Sequence, residues 1–144
     1  MKKIKDLIIT DNKRFFKNDG DIYHGMRETD AGYNKFGEIY FSFINNNTIK
    51  GWKMHNQMTL NIIVPIGSIL FNFIDLRQKS ESYKTQIKLL LDNENYQRIT
   101  VPPKICFAFK GIGEDRNMLV NITDMIHDDN ECQNIELNKY NFID

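Results

Sequence analysis

Alternation dominates this chain. Residues 38–44 place Ile39, Phe41 and Phe43 on one side and Glu38, Tyr40 and Ser42 on the other, the period-two mark of a strand. Asn45, Asn46 and Asn47 follow, and asparagine tolerates the left-handed backbone of a turn. Thr48–Trp52 and the stretch Lys53–Val64 continue the extended pattern to a turn at Pro65, Ile66 and Gly67. Ser68–Arg77 alternates again, with Ile69, Phe71 and Phe73 opposite Leu70, Asn72 and Ile74. Lys84–Leu91 is a further strand, closed by a turn at 92–95; Arg98–Val101 leads into Pro102 and Pro103, and Lys104–Lys110 and Met118–Thr123 are the last clear strands. Short strands at about ten-residue spacing, punctuated by Asn, Gly and Pro, predict an all-β sandwich or barrel. No segment holds helical periodicity over three turns. The polar stretch 11–37, with Gly20, Gly25, Gly32 and Gly37, reads as irregular with short strands at most, and 131–144 as a short helix or an arm.

Composition narrows the function. At 144 residues one domain is expected. Nineteen basic and nineteen acidic residues cancel, which leaves no basic footprint for nucleic acid and no polybasic patch for a membrane. The longest apolar stretch, 60–74, is broken by Asn61, Pro65, Gly67 and Asn72 and cannot span a bilayer. The positive N-terminus lacks a secretory core and cleavage site. Cys106 and Cys132 do not make a disulfide framework, and a reduced cytoplasmic chain is the simplest expectation. Ten Phe, six Tyr and one Trp can fill one compact core. Glycine-rich dinucleotide, P-loop and GxSxG motifs are missing from the sequence.

One segment carries candidate chemistry. If Lys53–Val64 runs as an unbroken strand, Lys53, His55, Gln57, Thr59 and Asn61 share a face. The other face carries Trp52, Met54, Met58, Leu60, Ile62 and Val64, with only Asn56 polar. The polar row fits a solvated outer face or a pocket inside a barrel. The pocket is favoured by the residue types, which are not the exchangeable Lys/Glu mix of an outer face. Glu38, Tyr40 and Ser42, at the same period nearby, favour it too.

The run 36–77 resembles the cupin-fold dTDP-4-dehydrorhamnose 3,5-epimerase (RmlC-like) family, as a divergent short branch. Lys50-Gly51-Trp52-Lys53-Met54-His55 matches the family's Arg-Gly-Leu-His-Tyr-Gln strand, and Gly67 and Asp75-Leu76-Arg77 match its following turn and Asp-Leu-Arg. Residues 94–111 are similar to the strand entering the family's Pro-Pro-Gly-Phe-Ala-His, and 117–131 to the Thr-Asp segment after it. Lys50, Lys53, His55, Met58, Thr59, His127, Asp128 and Glu131 fit the pattern of the branch.

The resemblance implies a cupin-type jelly-roll barrel (a double-stranded β-helix) as a single domain over 1–144, with an N-terminal arm to about residue 36. It implies a homodimer, and an epimerase or isomerase of a nucleotide-linked 4-keto-6-deoxysugar in surface-polysaccharide (lipopolysaccharide) precursor synthesis. Departures are equally specific. Lys53 stands at the family's catalytic His, His55 at its Gln, Phe107 at the later His and Val120 at the Tyr acid. The slots that hold metal in other cupins carry Lys53, His55, Leu60 and Phe107. One His among four positions does not close a metal site, so neither metal nor other cofactor is expected.

A proton next to a ketone is acidic, and its removal needs a base, donors for the enolate and an acid for return. His55 is the expected base and Lys53 the enolate-stabilising cation, the two catalytic candidates. Lys50 and Arg77 suit a diphosphate, although Asp75–Arg77 equally suits a structural ion pair. Glu38 and Tyr40 can contact sugar or supply the acid, and Thr59 and Asn61 complete the substrate-binding set. A non-catalytic sugar-binding cupin that has lost the acid and base is the alternative.

Overall fold

The structure, a computed structural model, describes residues 2–144. The described residues form twelve strands: β1 (Ile8–Asp11), β2 (Arg14–Phe15), β3 (Ile22–Tyr23), β4 (Glu38–Ile44), β5 (Ile49–His55), β6 (Leu60–Ile66), β7 (Ser68–Asp75), β8 (Gln86–Asp92), β9 (Gln97–Val101), β10 (Ile105–Gly111), β11 (Asn117–Thr123) and β12 (Cys132–Asn134). They build two five-stranded antiparallel sheets, a first in the order β1-β9-β6-β11-β4 and a second in the order β12-β5-β10-β7-β8, plus the small β2–β3 ladder. This is the expected all-β jelly-roll, in one domain. The strands predicted at 38–44, 68–77, 84–91, 98–101, 104–110 and 118–123 fall within two residues of those observed. The N-terminal stretch contributes more than expected, since β1 pairs with β9 and extends the first sheet.

Alternation explains the core. Leu60, Ile62 and Val64 of β6 join Ile69, Phe71 and Phe73 of β7 and Ile105, Phe107 and Phe109 of β10 in one buried cluster between the sheets. Phe71 and Phe73 stack at 5.9 Å, and Phe107 and Phe109 lie 6.3 and 5.7 Å from Phe73 and Phe71. Such offset aromatic pairs add about 0.5–1.5 kcal/mol each beyond their area.

The chain ends cover part of each outer face. The C-terminal stretch lies over the second sheet, where Tyr140 meets Trp52 edge-on at 5.8 Å and the Trp52 indole N–H donates to Leu137 O at 3.1 Å. Buried Asn72 binds both the N–H and C=O of Ile143. Over the first sheet, the guanidinium of the fully buried Arg98 donates to Asn12 Oδ1 (2.9 Å) and Ala31 O (3.0 Å), tying down the N-terminal stretch. Of the short helix or arm expected at 131–144, the structure forms the arm, with β12 and one 3₁₀ turn at Leu137–Lys139. Cys106 and Cys132 are both free, and burial pushes the Cys106 thiol up to about 12.

One sequence expectation fails here. Residues 53–64 are not one strand. The chain bends after His55 and passes from the second sheet to the first, so the row 53–61 does not share a face. The bend is held by carboxylates far along the chain. Glu131 Oε2 accepts the N–H of Gln57 (3.0 Å) and of Met58 (3.1 Å), and Asp124 Oδ1 accepts the N–H of Thr59 (2.9 Å).

Candidate active site

Strand β5 sets the site. Trp52 and Met54 turn outward into the cluster beneath the C-terminal stretch, so Lys53 and His55 turn to the barrel interior. At Gly51 the strand bulges against β10, and φ is +128°. A Cβ there would lie 2.7 Å from that of Ala108, so the close approach requires glycine.

His55 and Glu131 form a buried pair, only 3% and 5% exposed. His55 Nδ1 donates to Glu131 Oε1, while the other carboxylate oxygen takes the two amides of the corner. An ionised carboxylate only accepts, so Nδ1 carries the proton. The lone pair is thereby left on Nε2, which is buried without a hydrogen-bond partner. Burial holds the His55 imidazole below its ordinary value, against the opposing pull of Glu131. Burial works the other way on Glu131, but its bonds to His55, Gln57 and Met58 outweigh it and keep the carboxyl below the usual range. The pair is therefore a neutral imidazole oriented by a carboxylate, the form a general base needs.

A cavity of about 280 Å³ opens between the two sheets at Lys53, the neighbour of His55 on the same face of β5; His55 and Glu131 are not themselves in its lining. Its polar lining is Tyr40 and Ser42 from β4, Asn121 from β11, Lys50 and Lys53 from β5, and Asn134 from β12. Ile62, Phe107, Phe109 and Leu119 supply apolar surface. Tyr40 and Asn121 are joined, with Asn121 Nδ2 donating to the Tyr40 hydroxyl at 2.8 Å. Partial burial raises the Tyr40 hydroxyl, more than the Asn121 bond lowers it, and the charges of Glu38 and Glu131 push the same way as burial.

The sequence candidates separate into two groups. Lys53, Lys50 and Tyr40 line the cavity, and Lys50 Nζ reaches Phe43 O at its rim. His55 shares the interior face of β5 with Lys53. Glu38 begins β4, on the same side as Tyr40, where its carboxylate accepts the His127 N–H at 2.9 Å. The other three fall away from the cavity. Asn61 lies on the outward side of β6, accepting from Thr100 Oγ1 and donating to Gly32 O. Thr59 belongs to the corner, not to a ligand-facing row. Arg77 grips buried Asp75 with two nitrogens and also bonds Asp6 and Lys5 O, in a network with Ser80 and Ser82. That is the structural ion pair rather than a cation free for a diphosphate. The network holds the Asp75 carboxyl well below the usual range despite its burial.

Sequence reasoning gave no role to Glu131, Asn121 or Asn134. Glu131 left a faint signal, an acidic residue in the His127–Glu131 pattern. Asn121 could have been found by parity, since it shares the inward side of β11 with Leu119 while Val120 packs outward against Ile63 and Tyr96. Among the described residues, no group of three or more His, Cys, Asp or Glu is placed to hold a metal. None of their helices is long and apolar enough to cross a membrane.

Comparison with solved structures places the fold among sugar-nucleotide enzymes. A dTDP sugar isomerase from Desulfovibrio desulfuricans G20 superposes with a TM-score of 0.91 at 26% identity, covering 94% of this chain and 87% of that one. A dTDP-4-dehydrorhamnose 3,5-epimerase from Elizabethkingia anophelis NUHP1 gives 0.80 at 18% identity, covering 96% and 79%. An RmlC from Legionella pneumophila, solved in complex with dTDP-4-keto-L-rhamnose, gives 0.84 at 17% identity, covering 94% and 76%. A search of curated proteins found no match. The model of the dTDP-4-dehydrorhamnose 3,5-epimerase family matches residues 1–142. This chain, with its jelly-roll barrel and interior His–Glu pair, belongs to that family of carbohydrate epimerases.

Proposed function

We propose that the protein inverts or isomerises a nucleotide-linked 4-keto-6-deoxysugar by removing a proton next to the carbonyl, without metal or other cofactor. The observation that carries this reading is the buried, unpartnered Nε2 of His55, with Nδ1 held by Glu131. Nε2 takes the carbon proton, and the electron pair moves onto the carbonyl oxygen as an enolate. The Lys53 ammonium, on the same strand face, offsets that charge. The cavity lies at the lower end of the range of small-molecule sites, about 300–1,000 Å³, so it suits the sugar end of the substrate. Lys50 at the rim can then meet the diphosphate as a point charge. Metal independence is supported by the donor set, because the cavity lining offers no His, Cys, Asp or Glu and His55 Nε2 alone does not make a metal site.

The expected setting is cytoplasmic synthesis of surface-polysaccharide precursors, and the expected assembly is a homodimer. The outward side of edge strand β4 exposes Ile39, Phe41 and Phe43, a patch that soluble monomers rarely leave open. Sedimentation at twice the chain mass supports the dimer, and a monomer at micromolar concentration refutes it.

The decisive experiment is incubation with dTDP-4-keto-6-deoxyglucose and related nucleotide sugars in deuterated water. Deuterium is expected at C3, C5 or both. No incorporation with any of them would overturn the epimerase reading. It would favour a sugar-binding cupin, the reading that the apolar side chain of Phe107 in the cavity wall supports.

A further inference from the structure

The base side of the site comes from the second sheet; the structure also holds a candidate for the opposite side. We infer that Tyr40 is the general acid that returns the proton to the sugar carbon, with Asn121 as its positioning residue. This rests on the epimerase reading and names the residue which that reading lacks, since Val120 packs outward and cannot serve.

Three observations carry it. Tyr40 stands on β4 of the first sheet, whereas Lys53 and His55 stand on β5 of the second, and the cavity lies between the sheets. A sugar ring held there has the β5 face, with Lys53 and beyond it His55, on one side and the Tyr40 hydroxyl on the other, the opposed placement that inversion demands. The Tyr40 oxygen already accepts a hydrogen bond from Asn121 Nδ2, so its own proton is free to be donated. Asn121 itself is 3% exposed, and its Oδ1 is buried with no partner. A buried acceptor without a donor costs about 1–3 kcal/mol; a sugar hydroxyl in the cavity would satisfy it and fix the ring beside Tyr40.

Two other groups nearby are committed elsewhere. Glu38 Oε1 accepts the His127 amide, and Lys50 donates to Phe43 O. The raised hydroxyl of Tyr40 stays protonated until the enolate is in place. The step balances. The enolate electrons re-form the carbonyl, the C=C pair takes the Tyr40 proton to make the new C–H bond, and the phenolate regains a proton from water. His55 releases its proton to water to close the cycle.

The test separates exchange from inversion. Wild-type protein and Tyr40→Phe are incubated with the keto-sugar nucleotide in deuterated water, and deuterium at the reacting carbon is compared with the yield of inverted sugar. Tyr40→Phe removes one oxygen, and its melting temperature checks the fold. If Tyr40 is the acid, prolonged incubation of the variant still exchanges deuterium through His55 while inversion falls by about 10²-fold or more. Asn121→Leu is expected to lower the inversion-to-exchange ratio in the same direction, by less. Inversion at the wild-type rate in Tyr40→Phe overturns the assignment. So does a loss of exchange and inversion in equal proportion, which would mark a binding role only. If the wild-type protein exchanges nothing, the epimerase reading itself has failed, and the acid falls with it.

Discussion

Two parts of one barrel interior are built from the same alternation and end differently. Towards β7 the inward positions are Ile69, Phe71 and Phe73, and they pack into the buried core with Leu91 of β8. Between β4, β11 and β5 they are Tyr40, Ser42, Asn121 and Lys53, with His55 next along the same face of β5, and a cavity remains. The aromatic part obeys the ordinary rule that interiors are close-packed. The polar part breaks it in a specific way. Its carboxylate and imidazole are paired, yet His55 Nε2 and Asn121 Oδ1 are left without partners. Buried polar atoms are nearly always satisfied; Thr10 Oγ1 and Arg98 Nε lack partners as well, on facing positions of β1 and β9, so it is the adjoining cavity that distinguishes this region. One part supplies stability, and the other is the proposed seat of the chemistry.

That division can be broken from either side. The largest effect is expected for His55→Gln, which removes the base but keeps a donor for Glu131. Turnover should fall by about 10²–10⁴-fold with little change in melting temperature, and retained turnover would remove His55 from the mechanism. On the aromatic side, Phe73→Ala should cost about 3–5 kcal/mol in denaturant unfolding while the activity of the folded fraction persists. A loss under about 1 kcal/mol would mean that this part is not the stabilising one.

Acid should act more gently on both. The folded His55 resists protonation below its ordinary 6.5, whereas the unfolded chain accepts the proton there. Stability therefore falls as pH drops below 6.5. The contribution of Glu131 is present above its unfolded 4.5 and is lost as pH falls through its lowered folded value. Because the neutral imidazole is the base, kcat/KM should hold through pH 6.5 and decline only below it. An acid limb centred above 6.5 would contradict the buried, neutral assignment.

Much of this was readable from the chain. The alternation of 38–44 places Glu38, Tyr40 and Ser42 on the inward side and Ile39, Phe41 and Phe43 outward, and within β5 it separates Lys53 and His55 from Trp52 and Met54. Period two is a local property of extended backbone, so it survives folding unchanged wherever a strand does. The polar row from 53 to 61 did not survive. A row on one strand assumes that the strand continues, and whether it continues was decided by Glu131 and Asp124, which take the amides of Gln57, Met58 and Thr59 from 65 to 74 residues away.

The sequence by itself determined the strands, their faces and the two catalytic candidates on β5, because those depend on neighbours along the chain. Only the tertiary structure decided that Asn61 and Arg77 are spent on holding the fold, that Glu131 orients His55, and that Tyr40 stands across a cavity from Lys53. Each of these is a contact between segments far apart in sequence, and no local pattern specifies which distant carboxylate will satisfy a given amide or imidazole.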